Sequence, residues 1–288
     1  MRLLLPLPGN QALAAELARL GAGPCGEVET RHFPDGESYV RLHGDLQGRE
    51  AVLICTLAAP DPLLLPLVFA ADAARELGAS RVTLLAPYLA YMRQDKRFQP
   101  GEAVSSRTFA AILSRHVDRL ITVDPHLHRY PALDALYTIP AQALHAAPLL
   151  ADWIAAAVPD ALLLGPDAES EQWVAAVAAR AGAPHAVLAK TRHGDRDVEI
   201  ALPDLSAYRG RQPVLVDDIA SSGRTLMQAA RLLVAQGLPK PVCAVVHALF
   251  AGDAYAALQP LASRIVSCDS VPHPSNAISL APLLAAAL

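Results

Sequence analysis

The stretch VLVDDIASSGRTLMQAARLL, residues 214–233, decides the fold. An apolar strand runs into two adjacent carboxylates, Asp217 and Asp218, then into a short loop of small and hydroxyl-bearing residues, then into a segment of helical period. Ser221, Ser222, Gly223 and Thr225 lie just ahead of that helix. Backbone N–H groups there lack intrahelical partners and point outward, so the loop reads as a phosphate site. Two acids one step earlier would repel a phosphate. They suit instead the vicinal hydroxyls of a sugar whose phosphate lies on the loop amides, because an ionised carboxylate only accepts hydrogen bonds. An ordinary capped turn explains the hydroxyls but leaves the two acids without a role.

The same order of elements recurs along the chain. Short β-rich runs such as AVLICTL, RVTLLAPY, RLITVD, ALLLGPD and PVCAVVHALF alternate with helical-period segments at 63–77, 105–115, 171–181 and 225–236. This alternation predicts an α/β protein whose parallel sheets are covered by helices on both faces, with ligands at the carboxyl ends of strands. A weak repeat relates 52–89 to 214–250, each reading strand, loop, helix, glycine, strand. The first copy has Thr56 and Leu57 where the second has its carboxylates. A domain boundary is expected near 138–148, between a strand around Tyr137 and a helix after Pro148.

With 288 residues and 53% hydrophobic content, the chain can fill two medium-sized cores. A net charge of -4 gives no basic field, so no nucleic-acid partner is expected and an anionic ligand should be small. Cys25, Cys55, Cys243 and Cys268 form no CxxC pair, which argues against structural zinc and a disulfide framework and suits reduced cytosolic thiols. The opening MRLLLPLPGN has too short an apolar run for a signal peptide. The segment LAAPDPLLLPLVFAADAA is broken by Asp61, Asp72 and three prolines, so it does not make a membrane span. A soluble, cytoplasmic protein is expected.

The 214–226 segment resembles the ribose-5-phosphate motif shared by type I phosphoribosyltransferases and ribose-phosphate pyrophosphokinases, and other segments favour the second family. RHFPDGESYVRL (31–42) is similar to a family segment in which Phe33 would stack on adenine while Asp35 and Glu37 bond its amino edge or the ribose. APYLAYMRQDKRF (86–98) resembles another, which implies that Arg93 and Gln94 meet the nucleotide, with Lys96 and Arg97 as further cations suited to a triphosphate. TVDPHLHRY (122–130) resembles a segment whose histidine, here His126, helps to hold Mg²⁺ and ATP, although Mg²⁺ prefers oxygen ligands. LLLGPDAES (163–170) implies that Asp167 contacts the ribose or metal, with Glu169 and Ser170 where glycines are usual. LAKTRHGDRDVEI (188–200) looks like the mobile catalytic loop, with Lys190 and Arg192 as catalytic cations. SCDSVPHPSNAISLAPLLAAAL resembles the family's ending and reads as structural. Arg224 stands where the motif usually has its second glycine.

The resemblance, closest to the compact archaeal-type branch, implies two phosphoribosyltransferase-like α/β domains, each a mostly parallel sheet flanked by helices. Residues 1–142 would bind nucleotide, in a domain that can also receive the C-terminal segment 275–288, and residues 143–274 would bind ribose 5-phosphate through Asp217, Asp218, Ser221, Ser222, Gly223, Arg224 and Thr225. The implied reaction transfers the diphosphoryl group of ATP to O1 of ribose 5-phosphate, with Mg²⁺ held by His126 and Asp167. It also implies a homo-oligomer of two-fold dimers in which the Phe33–Glu37 segment serves a neighbouring subunit's site. A phosphoribosyltransferase that consumes PRPP shares the 214–226 loop but does not account for 33–37 and 93–97. An inactive regulatory homologue is suggested by Glu169 and Arg224 and opposed by Lys190, Arg192, His126 and Asp218.

Overall fold

The computed structural model describes residues 1–127, 129–166, 170–193 and 197–288, and of 189–193 and 197–201 the backbone alone. The chain divides into two compact units, Met1–His145 with Ala281–Leu288, and Ala146–Leu280. These divisions fall a few residues beyond the 142/143 and 274/275 boundaries read from sequence.

The first unit contains β1 (Arg2–Pro6), α1 (Gln11–Arg19), β2 (Glu27–His32), β3 (Ser38–His43), β4 (Glu50–Ile54), α2 (Pro60–Glu76), β5 (Arg81–Ala86), α3 (Ser105–His116), β6 (Arg119–Val123) and β7 (Ala141–Leu144). A five-stranded parallel sheet has the order β1-β4-β5-β6-β7, and β2 and β3 form a separate antiparallel hairpin. Outside β1 the chain adds one parallel bridge, Leu4 to Cys25, with the Gly26 N–H donating to Leu4 O at 2.8 Å. The order therefore runs outward in both directions from β1, and the switch point lies between β1 and β4. The interiors of these strands are buried throughout, which is why LLLP, AVLI and VTLLA read as continuous apolar runs.

That switch point is occupied. Asn10, just past β1 and 2% exposed, accepts the Thr56 N–H at 3.0 Å and donates to Leu7 O and Pro8 O. A buried amide must satisfy its donors and acceptor, and here it does so by tying the end of β1 to the end of β4.

The second unit contains α4 (Ala147–Ala157), β8 (Ala161–Gly165), α5 (Glu171–Ala181), β9 (His185–Val187), the antiparallel hairpin β10 (Ala189–His193) and β11 (Asp197–Ala201), β12 (Gln212–Ala220), α6 (Arg224–Ala235), β13 (Val242–Ala248), α7 (Ala254–Leu258), β14 (Arg264–Cys268) and β15 (Asn276–Ile278). The last helix, α8 (Ala281–Ala287), returns to the first unit and packs on α1. The second sheet is six-stranded and parallel, in the order β15-β14-β13-β12-β8-β9, with its switch point between β8 and β12. Helix α6 buries Leu226, Ala229, Ala230 and Leu233, the i, i+3, i+4, i+7 stripe that its sequence carries, against Leu215, Cys243 and Val245 of the sheet. Leu226 and Leu233 each contribute about 2 kcal/mol by leaving water.

The α/β class and the helix-flanked parallel sheets are those the sequence predicts. One element differs: Tyr137 lies outside any strand, in a turn after the 3-10 segment Leu133–Ala135, where its N–H donates to Leu133 O. Pairing with β6 begins only at Pro140, whose carbonyl accepts the Leu120 N–H at 2.9 Å. The apolar run around Tyr137 is therefore a buried turn, with Tyr137 3% exposed, because burial alone produces such a run without strand pairing.

Candidate functional site: the loop before α6 and two loops of the first unit

In the second unit, β12 changes from buried to half-buried at Asp217, so both carboxylates emerge at the carboxyl end of the strand beside the switch point. Asp217 Oδ1 accepts the Asp218 N–H at 3.0 Å. Gly223 then adopts φ 65° and ψ 0°, and α6 begins at Arg224 with no side-chain cap. An L side chain pays for that dihedral and glycine does not, which explains the residue type at 223. Arg224 is the first helical residue and its side chain is exposed, so this departure from the motif leaves the loop's backbone path to Gly223. Ser221 and Thr225 are half-buried and Ser222 exposed. Uncapped N–H groups at the start of a 12-residue helix form an anion cradle, next to acceptors suited to hydroxyls.

The loop is braced from behind. Ala220 O accepts both the Leu249 N–H (3.0 Å) and the Phe250 N–H (2.8 Å), and Ser221 O accepts the Ala251 N–H (3.0 Å). Phe250 takes φ 35°, an uncommon value for an aromatic residue, and its ring lies 5.3 Å from Tyr255 and 4.9 Å from His273. The C-terminal segment thus supports the site through His273. Neither Phe250 nor Tyr255 is marked as functional by its sequence context; the only available signal is aromatic residues shortly after a β strand.

In the first unit, Phe33, Asp35 and Glu37 occupy the exposed tip of the β2–β3 hairpin, closed by the Phe33 N–H to Glu37 O bond at 2.8 Å. The Arg31 guanidinium lies 4.7 Å from the Phe33 ring centroid and 4.0 Å from that of Tyr39, a cation between two rings that sequence reading missed. Among the described residues no hydrogen bond or ion pair joins the three tip residues to 93–97 or to His126.

Arg93 and Lys96 are exposed, Gln94 and His126 half-buried, on the loops that follow β5 and β6. The chain enters the first loop through Tyr91, at φ 61°, whose hydroxyl bonds the Asp61 carboxylate and whose ring leans on Phe109 at 4.8 Å. Two residues before His126, Asp124 has φ 34° and a side chain only 9% exposed, in an ion pair with His145 at 3.0 Å. That carboxylate holds the His145 pKa above its ordinary value.

Asp167 and Glu169 lie outside the described residues, as does His128. Lys190 and Arg192 stand on β10 opposite Ile200 and Val198 of β11; their side chains are outside the description. Among the described residues no group of three or more His, Cys, Asp and Glu could cage a metal, and no helix is long and apolar enough to cross a membrane. A cavity of about 940 Å³, lined by Arg2, Arg49, Glu50 and Arg81 among others, opens at the amino ends of β1, β4 and β5, away from the carboxyl ends that bear the motif residues.

Fold and loop together define a class: α/β proteins built from two domains of the phosphoribosyltransferase type. Residues 3–116 match the N-terminal domain of ribose phosphate pyrophosphokinase, and residues 132–279 match the phosphoribosyl transferase domain. A ribose-phosphate pyrophosphokinase of Methanopyrus kandleri is 38% identical over 91% of this chain and 89% of its own, and that of Methanothermobacter thermautotrophicus 32% identical over 98% of each. The chain belongs to the ribose-phosphate pyrophosphokinase family. The crystal structure of phosphoribosylpyrophosphate synthetase from Mycobacterium smegmatis matches with a TM-score of 0.85 and 25% identity, over 99% of this chain and 97% of that one.

Proposed function

We propose that this chain transfers the β,γ-diphosphoryl group of ATP to O1 of ribose 5-phosphate, giving PRPP and AMP. The observation that carries the reading is the phosphate loop at 221–225, with its uncapped helix start, in a chain whose two halves match the two domains of one enzyme family. The loop amides and hydroxyls hold the 5-phosphate, and Asp217 and Asp218 accept from the ribose hydroxyls. Arg93, Gln94, Lys96 and His126 hold ATP, with Phe33, Asp35 and Glu37 at the adenosine end. O1 attacks the β-phosphorus as its proton passes to water, a bond forms from O1 to that phosphorus, and the bond to the α-phosphate oxygen breaks to release AMP. Lys190 and Arg192 act on the charge that develops during transfer, and alignment supplies much of the remainder.

Mg²⁺ belongs to the same proposal. Bound ions of this kind take most of their oxygens from substrate phosphates and water, with one or two protein groups. His126, with the nearly buried Asp124 carboxylate two residues before it, supplies a donor set of that modest size; Asp167 is the further proposed ligand. When bound, the ion neutralises phosphate charge. We also propose a cytoplasmic homo-oligomer of two-fold dimers in which the 33–37 hairpin tip completes a neighbour's site.

Incubation of the pure protein with ATP, Mg²⁺ and ribose 5-phosphate should yield AMP and PRPP in equal amounts. AMP formation that does not depend on ribose 5-phosphate overturns the reading, and consumption of PRPP with a free base would favour a phosphoribosyltransferase.

A further inference from the structure

Asp95 lies between the exposed Arg93 and Lys96, yet its own side chain is only 1% exposed. A buried carboxylate needs a charged partner and hydrogen bonds. Both come from Arg129, whose Nη1 donates to Oδ1 at 2.8 Å and Oδ2 at 3.0 Å. Arg129 belongs to the other loop, three residues after His126. A second tie runs beside the first: the Tyr130 hydroxyl donates to the Asp95 carbonyl at 3.2 Å and accepts from Arg107 Nε at 3.5 Å. On either side of Asp95 the loop backbone is fastened, by the Ser106 N–H to Gln94 O at 3.4 Å and by Glu102, whose carboxylate accepts the Phe98 and Gln99 N–H groups at 2.7 and 3.0 Å. The loop after β5 is thus pinned at its centre to the loop after β6.

We propose that Arg129 is a positioning residue for ATP, acting through Asp95 to hold Arg93, Gln94 and Lys96 in register with His126; this rests on the assignment of those residues to ATP. Two consequences of the geometry are specific to the nucleotide. The pair fixes where the loop's cations point, because Asp95 is the loop's buried anchor. It also cancels a negative charge that lies between them in the chain: without the guanidinium, the Asp95 carboxylate would oppose the field that Arg93 and Lys96 present to a triphosphate. Arg129 is itself 46% exposed, with its guanidinium carbon 6.0 Å from the Phe98 ring, so it is committed to Asp95 while remaining open to substitution.

The test is steady-state kinetics of the full-length enzyme. Arg129→Ala should raise KM for ATP by about tenfold or more while KM for ribose 5-phosphate moves less than about threefold, and Arg129→Lys should recover most of the loss. Because Arg129 acts through the loop that carries Arg93, the Arg93→Ala/Arg129→Ala double variant should lose less than the product of the single losses. Equal rises in both KM values, or full additivity, would overturn the proposal. Arg93→Ala and His126→Ala alone test the assignment beneath it. If neither weakens ATP, the assignment fails and the proposal with it; if both do and Arg129→Ala does not, the proposal alone fails. Should Arg129→Ala not fold, Arg129→Gln, which also removes the charge opposite Asp95, decides, with about a threefold or larger rise in KM for ATP expected and an unchanged value overturning.

Discussion

At position 223 the chain requires a left-handed dihedral, φ 65°, and at 224 an ordinary helical residue. The two substitutions therefore have different consequences. A Cβ at 223 would meet Ala254 Cβ at 3.6 Å, an ordinary contact, so Gly223→Ala should cost only the dihedral, about 1 kcal/mol, seen as a lower denaturation midpoint. Arg224→Gly should preserve kcat and change KM for ribose 5-phosphate by less than about tenfold, whereas Asp218→Ala should cost about 10²-fold in kcat/KM. Restored activity in Arg224→Gly from an inert wild type would instead support the inactive-homologue reading. The turn was legible because small residues in a row directly before a segment of helical period mark a tight entry into a helix. Arg129 was not, since nothing in DPHLHRY distinguishes a solvated arginine from one committed to a buried carboxylate.

At the scale of elements, the turn after β13 and the C-terminal segment form the wall behind the 221–225 loop. His273 is the titrating part of that wall. Its Nδ1 accepts the Ser275 N–H at 3.2 Å, which keeps the ring neutral with its proton on Nε2, and partial burial lowers its pKa. A lowered folded value means that the stability contribution is fully present above the ordinary histidine pKa, about 6.5, and is lost as pH falls through the folded value. Thermal midpoints should therefore fall more steeply from about pH 7 to about pH 5 in the wild type than in His273→Gln; equal slopes would assign the loss elsewhere. The helices were legible because α2, α3, α5 and α6 each carry an apolar stripe of helical period. The turn at Tyr137 was misread because a buried turn and a buried strand present the same apolar composition.

At the scale of the molecule, each sheet steps outward both ways from one strand, and β4–α2–β5 occupies the place in its sheet that β12–α6–β13 occupies in the other. The repeat read from 52–89 and 214–250 corresponds to this equivalence. Their switch points differ. Asn10 closes the first with a buried hydrogen bond to Thr56, while the second ends in half-buried carboxylates and an uncapped helix. The proposed composite dimer makes a quantitative prediction: Asp35→Ala mixed with Lys190→Ala should regain about a quarter of wild-type activity, since half of randomly mixed dimers are heterodimers and each has one intact site. No recovery after verified subunit exchange would place each site within one chain.

By itself the sequence determined the α/β class, the alternation of elements, the small-residue turn that opens α6 and the family, because these are written in local period and in short motifs whose residue types answer a local backbone demand. Only the tertiary structure decided that Asp95 belongs to Arg129, 34 positions away, that Asn10 closes one switch point, and that Phe250 and His273 brace the loop at the other. Each of these depends on which loops meet at the carboxyl edge of a sheet. That is set by strand order, and strand order leaves no periodic trace in the residues that it brings together.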